Sequence, residues 1–498
     1  MVSSTPRDCR RSGARVADLI VSGGTIVTMD PARRVIEDGA VAIAAGHIVA
    51  IGTSAEIAAA HSAPQTIGAA GKLVMPGLID VHAHAGHGLI KTMGMEQANH
   101  WEEICGEVYT TASPPDFWYA EARLAALERL RFGVTCGVSL LGGGDTIMRT
   151  DDPAHANAHC QGVAEVGTRS VVAIGPTRPP HPRTYASWEG GARHDYPVSF
   201  ERQFDTCADV LSRWHGTQDG RLNIALLTPV LRDEHEAGMP AGDYAEAVRQ
   251  AQTVRALSRE AGVVFTQDGH WKGSVTRAEK LGLLGPDALL SHAIDLGADE
   301  IAICAATGAK IAHNPSAIAS ILGRCPAIEL MEAGVVVAIG SDATAPDRSA
   351  DMFRHMQQAM HYHRRHFADE HVLPPGKALE MVTIDAATAL GMAADIGSLE
   401  PGKRADIVLV DMARPHLYPP NMPVFRLVCF ANGNDVDTVI VGGEVMLEQG
   451  RPTRVSQADV LAGAARETEL MLDRIGKRDM LGLPDGFWGA ARYPGSRN

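Results

Sequence analysis

Between residues 69 and 400 short apolar runs alternate with helix-like segments, and this alternation constrains the fold more than any other feature of the chain. The runs include RSVVAIGP, LNIALLTPV, GVVFTQDG, ALLSHAID, AKIAHNPS and VVVAIGSDA. Each follows a stretch of helical character, such as ERQFDTCADVLSRW before the second and YAEAVRQAQTVRALSRE before the third. Strands alternating with such helices build parallel βα units. Eight units can be counted, which predicts an α/β fold, a (β/α)₈ TIM barrel with its active site at the C-terminal strand ends. The 498 residues suffice for that barrel and an accessory domain.

The segments outside the barrel read differently. ADLIVSGGTIVTMD and AVAIAAGHIVAIG alternate apolar and polar residues, with Gly23-Gly24 and Gly46-His47 marking hairpins. ADIVLVD and DTVIVGGEVMLEQG repeat the style near the other end. The expectation is a small β-sandwich built from both chain ends, residues 17–68 and 401–452, around a barrel spanning 69–400. Residues 1–16 carry Arg7, Arg10, Arg11 and Arg15 with no apolar run behind them, which fits a disordered tail rather than a secretory signal. Residues 453–498 include VLAGAARETELMLDRIG, an amphipathic helix suited to the barrel exterior or to a subunit neighbour in a homo-oligomer.

A formal charge of −14 argues against a nucleic-acid partner and for a small-molecule substrate. No run approaches the ~20 apolar residues of a membrane span. The eight cysteines are scattered without a C-x-x-C pair, which suits reduced thiols in a cytoplasm.

The chemistry starts in LIDVHAH, an apolar strand that ends in His82 and His84. Residues two apart on a strand face the same side, so both imidazoles can reach one metal ion. Among 21 histidines about one such pair arises by chance, so context decides. His361 and His363 form another pair inside DMFRHMQQAMHYHRRHF, which reads as a helix whose four histidines make a solvated or interface face. Three more strand ends carry polar residues: His292 in ALLSHAID, His313 in AKIAHNPS and Asp342 in VVVAIGSDA. Imidazoles with a carboxylate, all at the catalytic face of a barrel, indicate a divalent metal site. Zinc is the first choice, with cobalt, manganese or iron(II) also suited.

Together PGLIDVHAH, SHAIDL, IAHNPSA, IGSDA and TIDAATALGMAADIGSLEPGKRADIVLVD resemble the amidohydrolase superfamily over about residues 17 to 452. The likeness is strongest to its branch of chlorohydrolases, nucleobase and adenosine-type deaminases, and amide or urea hydrolases. The resemblance implies that His82, His84 and Asp342 bind metal, with Asp342 also accepting a proton. It implies that His292 binds or orients the reacting water or substrate, and that His313 touches substrate at the pocket edge.

The fifth strand departs from that pattern. Relatives end it with a metal-binding His and place a Glu three residues later; VVFTQDGHWKG has Gln267 and His270 at those positions. The fourth strand, LNIALLTPV, holds no Lys, so a carbamylated-lysine bridge is not expected and one metal ion per chain is. Either His270 reaches back to the metal, or Gln267 binds through its carbonyl oxygen and His270 handles protons. Deaminating relatives use the Glu to protonate a ring nitrogen. Hydrolysis of an amide, urea or carbamate makes a smaller demand, so the sequence favours an acyclic C–N bond, as in phenylurea and thiocarbamate hydrolases. Deamination of a heterocycle is the alternative, and a non-catalytic barrel scaffold a remote one. Trp101, Tyr109, His181, Tyr185, Trp188 and Trp271 are candidate pocket walls, Trp101 and Trp271 foremost for substrate.

Overall fold

The computed structural model describes residues 15–93, 98–144, 147–345, 347–483 and 487–489, with the backbone alone for 98–102. Eight parallel strands form one sheet in strict chain order: β1 Leu78–Asp80, β2 Val134–Leu140, β3 Arg169–Ile174, β4 Leu222–Leu227, β5 Phe265–Gln267, β6 Ala288–Ser291, β7 Lys310–His313 and β8 Val337–Ile339. Every residue of β2 and of β3 is buried, as parallel strands covered on both faces require. The barrel closes just beyond the ends of β1 and β8. There the Asp342 amide donates to the His82 carbonyl at 2.8 Å, and Ala83 and Asp342 form an isolated parallel bridge.

Three helices matter for the site. α1, Pro115–Arg131, starts with Pro at its first position, Asp116 in the first turn, and Arg129 and Arg131 in the last, each suited to the helix dipole. α2, Met352–Phe367, is capped by Asp351, whose carboxylate accepts the Phe353 amide at 3.1 Å. Its histidines do not form the single solvated face expected from sequence. His355 and His363, eight residues apart and so on one side, are buried, whereas His361 and His366 are exposed. α3, Gln457–Ile475, begins at the Ser456 cap and buries Val460, Ala464, Met471 and Leu472. It lies on this chain's own barrel, where Thr468 donates to the Leu89 carbonyl at 3.3 Å and Arg474 to that of Ala112 at 3.2 Å.

Both ends of the chain enter a single nine-stranded sheet. Its N-terminal strands include Leu19–Val27, Val35–Ala44, His47–Thr53 and Lys72–Pro76; its C-terminal strands include Ile407–Asp411, Val436–Val441 and Glu444–Glu448. The halves join where Lys72–Pro76 pairs antiparallel with Ile407–Asp411, from Asp411 opposite Lys72 to Ile407 opposite Pro76. The N-terminal contribution therefore runs to Pro76, past the boundary at 68 read from sequence. Among the described residues no helix is long and apolar enough to cross a membrane.

A buried ion pair ties barrel to sheet. Arg169, the first residue of β3, donates through Nε and a terminal nitrogen to Asp406 at 3.0 and 3.2 Å, and the Gly442 amide donates to the same carboxylate at 2.7 Å. Both side chains are buried. Removing one member of such a pair strands the other charge, at a cost of about 3–5 kcal/mol. Asp406→Ala is expected to lower the unfolding free energy by that amount, read from the urea midpoint; a change below about 1 kcal/mol would show the pair to be dispensable.

Candidate metal centre

Five buried side chains from four strand ends converge at the mouth of the barrel. His82 and His84 follow β1, Asp268 is the first residue after β5, His292 the first after β6, and Asp342 follows β8. The Nε2 atom of His82 lies 3.3 Å from Asp268 Oδ1 and 3.6 Å from Asp342 Oδ1. That of His84 lies 3.4 Å from Asp268 Oδ2 and 3.3 Å from Asp342 Oδ1. His292 Nε2 approaches Asp268 Oδ1 at 3.1 Å. The ligand atoms of His82, His84 and Asp342 lie within 4.8 Å of one another, and so do those of His82, Asp268 and His292.

Local structure aims these groups. The Nδ1–H of His84 donates to the Gly142 carbonyl at 2.8 Å, which leaves the Nε2 lone pair facing the centre. Ser291 donates through Oγ to Asp268 Oδ1 at 2.6 Å and accepts the Gly269 amide at 3.2 Å. His292 and Asp342 have left-handed backbones, with φ of +69° and +63°. Such a conformation costs a non-glycine residue about 1–3 kcal/mol and persists only where its surroundings impose it.

The charge balance identifies what the cluster can hold. Burial opposes a charge on His82, but Asp268 and Asp342 outweigh it and push the imidazole up to about 10. Burial would likewise raise both carboxylates, yet His82 and its neighbouring imidazoles hold Asp268 and Asp342 well below the usual range. Two buried carboxylates thus require compensating positive charge. His82 Nε2, buried without a hydrogen bond of good geometry, is already turned toward them. Two triads of such ligand atoms that share His82 suit a divalent transition ion.

Of the residues singled out in the sequence, His82, His84, His292 and Asp342 are brought together, and His270, Gln267, His313 and Trp271 stand apart. His270 is buried, with Nδ1 2.9 Å from Ser274 Oγ, and its ring nitrogens belong to neither group of converging ligand atoms. Gln267 points to the end of β4, where Nε2 donates to Thr228 Oγ1 and the Pro229 carbonyl, both at 3.3 Å. Neighbouring residues at a strand end project to opposite sides, so the turn that takes Gln267 away delivers Asp268 to the centre. His313 is fully buried against α2, its Nε2 3.2 Å from that of His363. Trp271 lines a separate cavity of about 280 Å³ with Arg232 and Lys272. Trp101 lies outside the residues whose side chains are described. Tyr185 and Trp188 donate to the carbonyls of Met148 and Thr111 at 2.8 and 2.6 Å, fastening the hairpin Arg183–Val198 to its neighbours. His181 lies 3.2 Å from the Thr177 carbonyl.

Sequence reasoning passed over Asp268 and His87. Asp268 is a carboxylate directly after an apolar strand, the signal that marked Asp342, but comparison with the family pattern drew attention to the positions on either side. His87, three residues beyond His84, is buried with its ring 5.0 Å from that of His84 and its Nδ1 2.9 Å from the Tyr109 hydroxyl.

Residues 237–446 match the amidohydrolase family. Over 476 residues the chain is 27% identical to a 5-methylthioadenosine/S-adenosylhomocysteine deaminase of Nitratidesulfovibrio vulgaris, covering 93% of this chain and all of the relative. It is 26% identical to a 5'-deoxyadenosine deaminase of Methanosarcina mazei, with 92% and 100% covered. Among solved structures, an adenosine deaminase of Xanthomonas campestris with bound zinc superposes with a TM-score of 0.78 at 22% identity, covering 92% of this chain and 100% of that one. Atrazine chlorohydrolase of Arthrobacter aurescens, complexed with zinc, gives 0.74 at 22% identity, with 90% and 100% covered.

The geometry separates Asp268 from His270 experimentally. Asp268→Ala is expected to lose metal on dialysis as fully as His82→Ala, whereas His270→Ala keeps about one equivalent, as measured by elemental analysis of folded protein. Metal retained by Asp268→Ala and lost from His270→Ala would reverse the assignment.

Proposed function

We propose that the amidohydrolase domain carried by this chain, a hydrolase of carbon–nitrogen bonds, is a metal-dependent aminohydrolase that removes an amino group from a nitrogen heterocycle of the adenosine type. The observation carrying this reading is the convergence of His82, His84, Asp268, His292 and Asp342 at the catalytic mouth of the barrel. The deaminase relatives, aligned over more than nine-tenths of the chain, support the choice of substrate class.

A divalent ion held by these side chains, zinc being the best fit, would lower the pKa of a water toward ~7 and so supply a nucleophile at neutral pH. Asp342 would take the proton from that water; its carboxylate is buried and held well below the usual range by His82 and His84. His292, one residue beyond β6 and 3.1 Å from Asp268, would orient the water or the substrate.

Deamination also needs a hydrogen donor for the ring nitrogen beside the carbon under attack. His270 fits that task. Ser274 Oγ accepts the Trp271 amide at 3.1 Å and lies 2.9 Å from His270 Nδ1. The other ring nitrogen, Nε2, is buried with no hydrogen-bond partner among the described residues, which leaves it for a substrate. Burial, with the charge of Arg232 added, brings this imidazole down to about 3, so at physiological pH it is neutral and would polarise the ring nitrogen through a hydrogen bond, with the proton itself coming by way of Asp342.

One observation favours a second reading. A His, not a carboxylic acid, stands three residues after the last residue of β5, and hydrolysis of an acyclic amide, urea or carbamate needs no ring protonation. Product analysis with zinc-loaded protein decides between the two. Ammonia release from adenosine, 5'-deoxyadenosine or an aminotriazine is the expected result, with His270→Ala slowing it by ~10²–10⁴. Turnover of acyclic amides or ureas to an organic amine, with every aminoheterocycle left intact, would overturn it.

A further inference from the structure

One buried carboxylate outside the converging five touches two of the four segments that carry ligands. Asp80, the last residue of β1, is fully buried. Its Oδ1 accepts the amide of Ser341 at 2.9 Å and, more distantly, that of His82 at 3.4 Å. Its Oδ2 accepts the Ser341 hydroxyl at 2.6 Å. Ser341 immediately precedes Asp342, and the Asp342 amide donates to the His82 carbonyl at 2.8 Å. A closed circuit results, running from Asp80 through Ser341 and Asp342 to His82 and back along β1.

The circuit sits at the seam where the barrel closes, beside the Ala83–Asp342 bridge. A further backbone bond between these segments, from the Val81 amide to the Ile339 carbonyl, is long at 3.4 Å. Asp80 is itself steadied by Arg129 of α1, which lies 3.5 Å from Oδ2 and donates to the Val138 carbonyl at 2.6 Å and to Ser139 Oγ at 2.8 Å. Close approach is also required at Gly340, where a Cβ would stand 2.8 Å from that of His82 and 2.4 Å from Asn314 Oδ1. The left-handed φ of +63° at Asp342 is thus imposed from one side by Asp80 on Ser341 and from the other by the His82 carbonyl.

We propose that Asp80, acting through Ser341, is a positioning residue that sets the separation of His82 and Asp342 and thereby the affinity of the metal centre. This rests on the reading of the five converging side chains as a metal site. A shell that orients ligands typically changes metal affinity by about 10–100-fold when it is removed. A merely structural buried hydrogen bond would lower stability and leave the affinity of the folded protein unchanged.

The test measures Zn²⁺ affinity by chelator competition, and the visible spectrum of the Co²⁺-loaded chain, in Ser341→Ala and Asp80→Asn. Ser170→Ala is the control; it removes a buried hydroxyl–carbonyl bond of 3.3 Å from the barrel away from this circuit. Both brace variants are expected to bind Zn²⁺ about 10–100-fold more weakly and to alter the Co²⁺ bands, while Ser170→Ala lowers only the melting temperature. Native affinity and native Co²⁺ bands in Ser341→Ala would overturn the proposal, as would an equal loss of affinity in Ser170→Ala. Should Asp80→Asn fail to fold, Ser341→Ala alone decides. A native chain that binds neither ion would sink the metal reading and this proposal together, whereas tight native binding with unaffected variants would sink only this one.

Discussion

Two carboxylates and three imidazoles share one buried space at the barrel mouth, and the positive charge they demand governs much of the structure around them. Isolated ionised groups cannot be buried at such density, because each costs several kcal/mol to desolvate. The imbalance can be met by protons on the imidazoles or by a cation. Asp268 and Asp342 draw a proton onto His82 against the effect of its burial, an expression of the same demand. Binding a cation there releases protons, so occupancy, pH and stability are linked quantities in this chain. The left-handed backbones at His292 and Asp342 belong to the same account, since strain of that kind is kept where it holds a ligand in place.

A barrel is well suited to assembling such a cluster from distant parts of a chain. His82 and Asp342 are 260 positions apart in sequence, yet they neighbour each other because β1 and β8 are the two edges that close the cylinder. Strand order equals chain order throughout, so the four strand ends that supply these groups stand at fixed positions around the axis. On the opposite face the Arg169–Asp406 pair fastens β3 to the sheet made from the chain ends, leaving the mouth free for chemistry.

Most of this architecture was legible in the sequence, because continuous apolar runs punctuated by helices have few other solutions. His82, His84, His292 and Asp342 stood out because a polar residue at the end of an apolar strand has no business in a core. Asp268 obeyed the same rule, but Gln267 and His270 occupied the positions where the family keeps its own residues, and a one-residue offset hid the carboxylate between them. On α2 the spacing of His361 and His363 correctly separates their side chains, but periodicity over one turn does not reveal that His355 and His363 share an inward face. The contact of His363 with His313 joins residues 50 apart, and nothing local announces it. The N-terminal strands reach Pro76 and not residue 68 because the partner that claims Lys72–Pro76 comes from the far end of the chain.

That last pairing bears on how the protein is made. Lys72–Pro76 leaves the ribosome more than 300 residues before Ile407–Asp411, the strand that covers its outer side. At synthesis rates of about 5–20 residues per second, this edge waits roughly 20–70 s for its neighbour. All eight barrel strands emerge in the interval and can fold in the order they appear. The N-terminal strands meanwhile present an apolar, unpaired edge of the kind that recruits other chains. The nascent protein is therefore most prone to aggregate, and most dependent on chaperones, before its last sheet strands are translated.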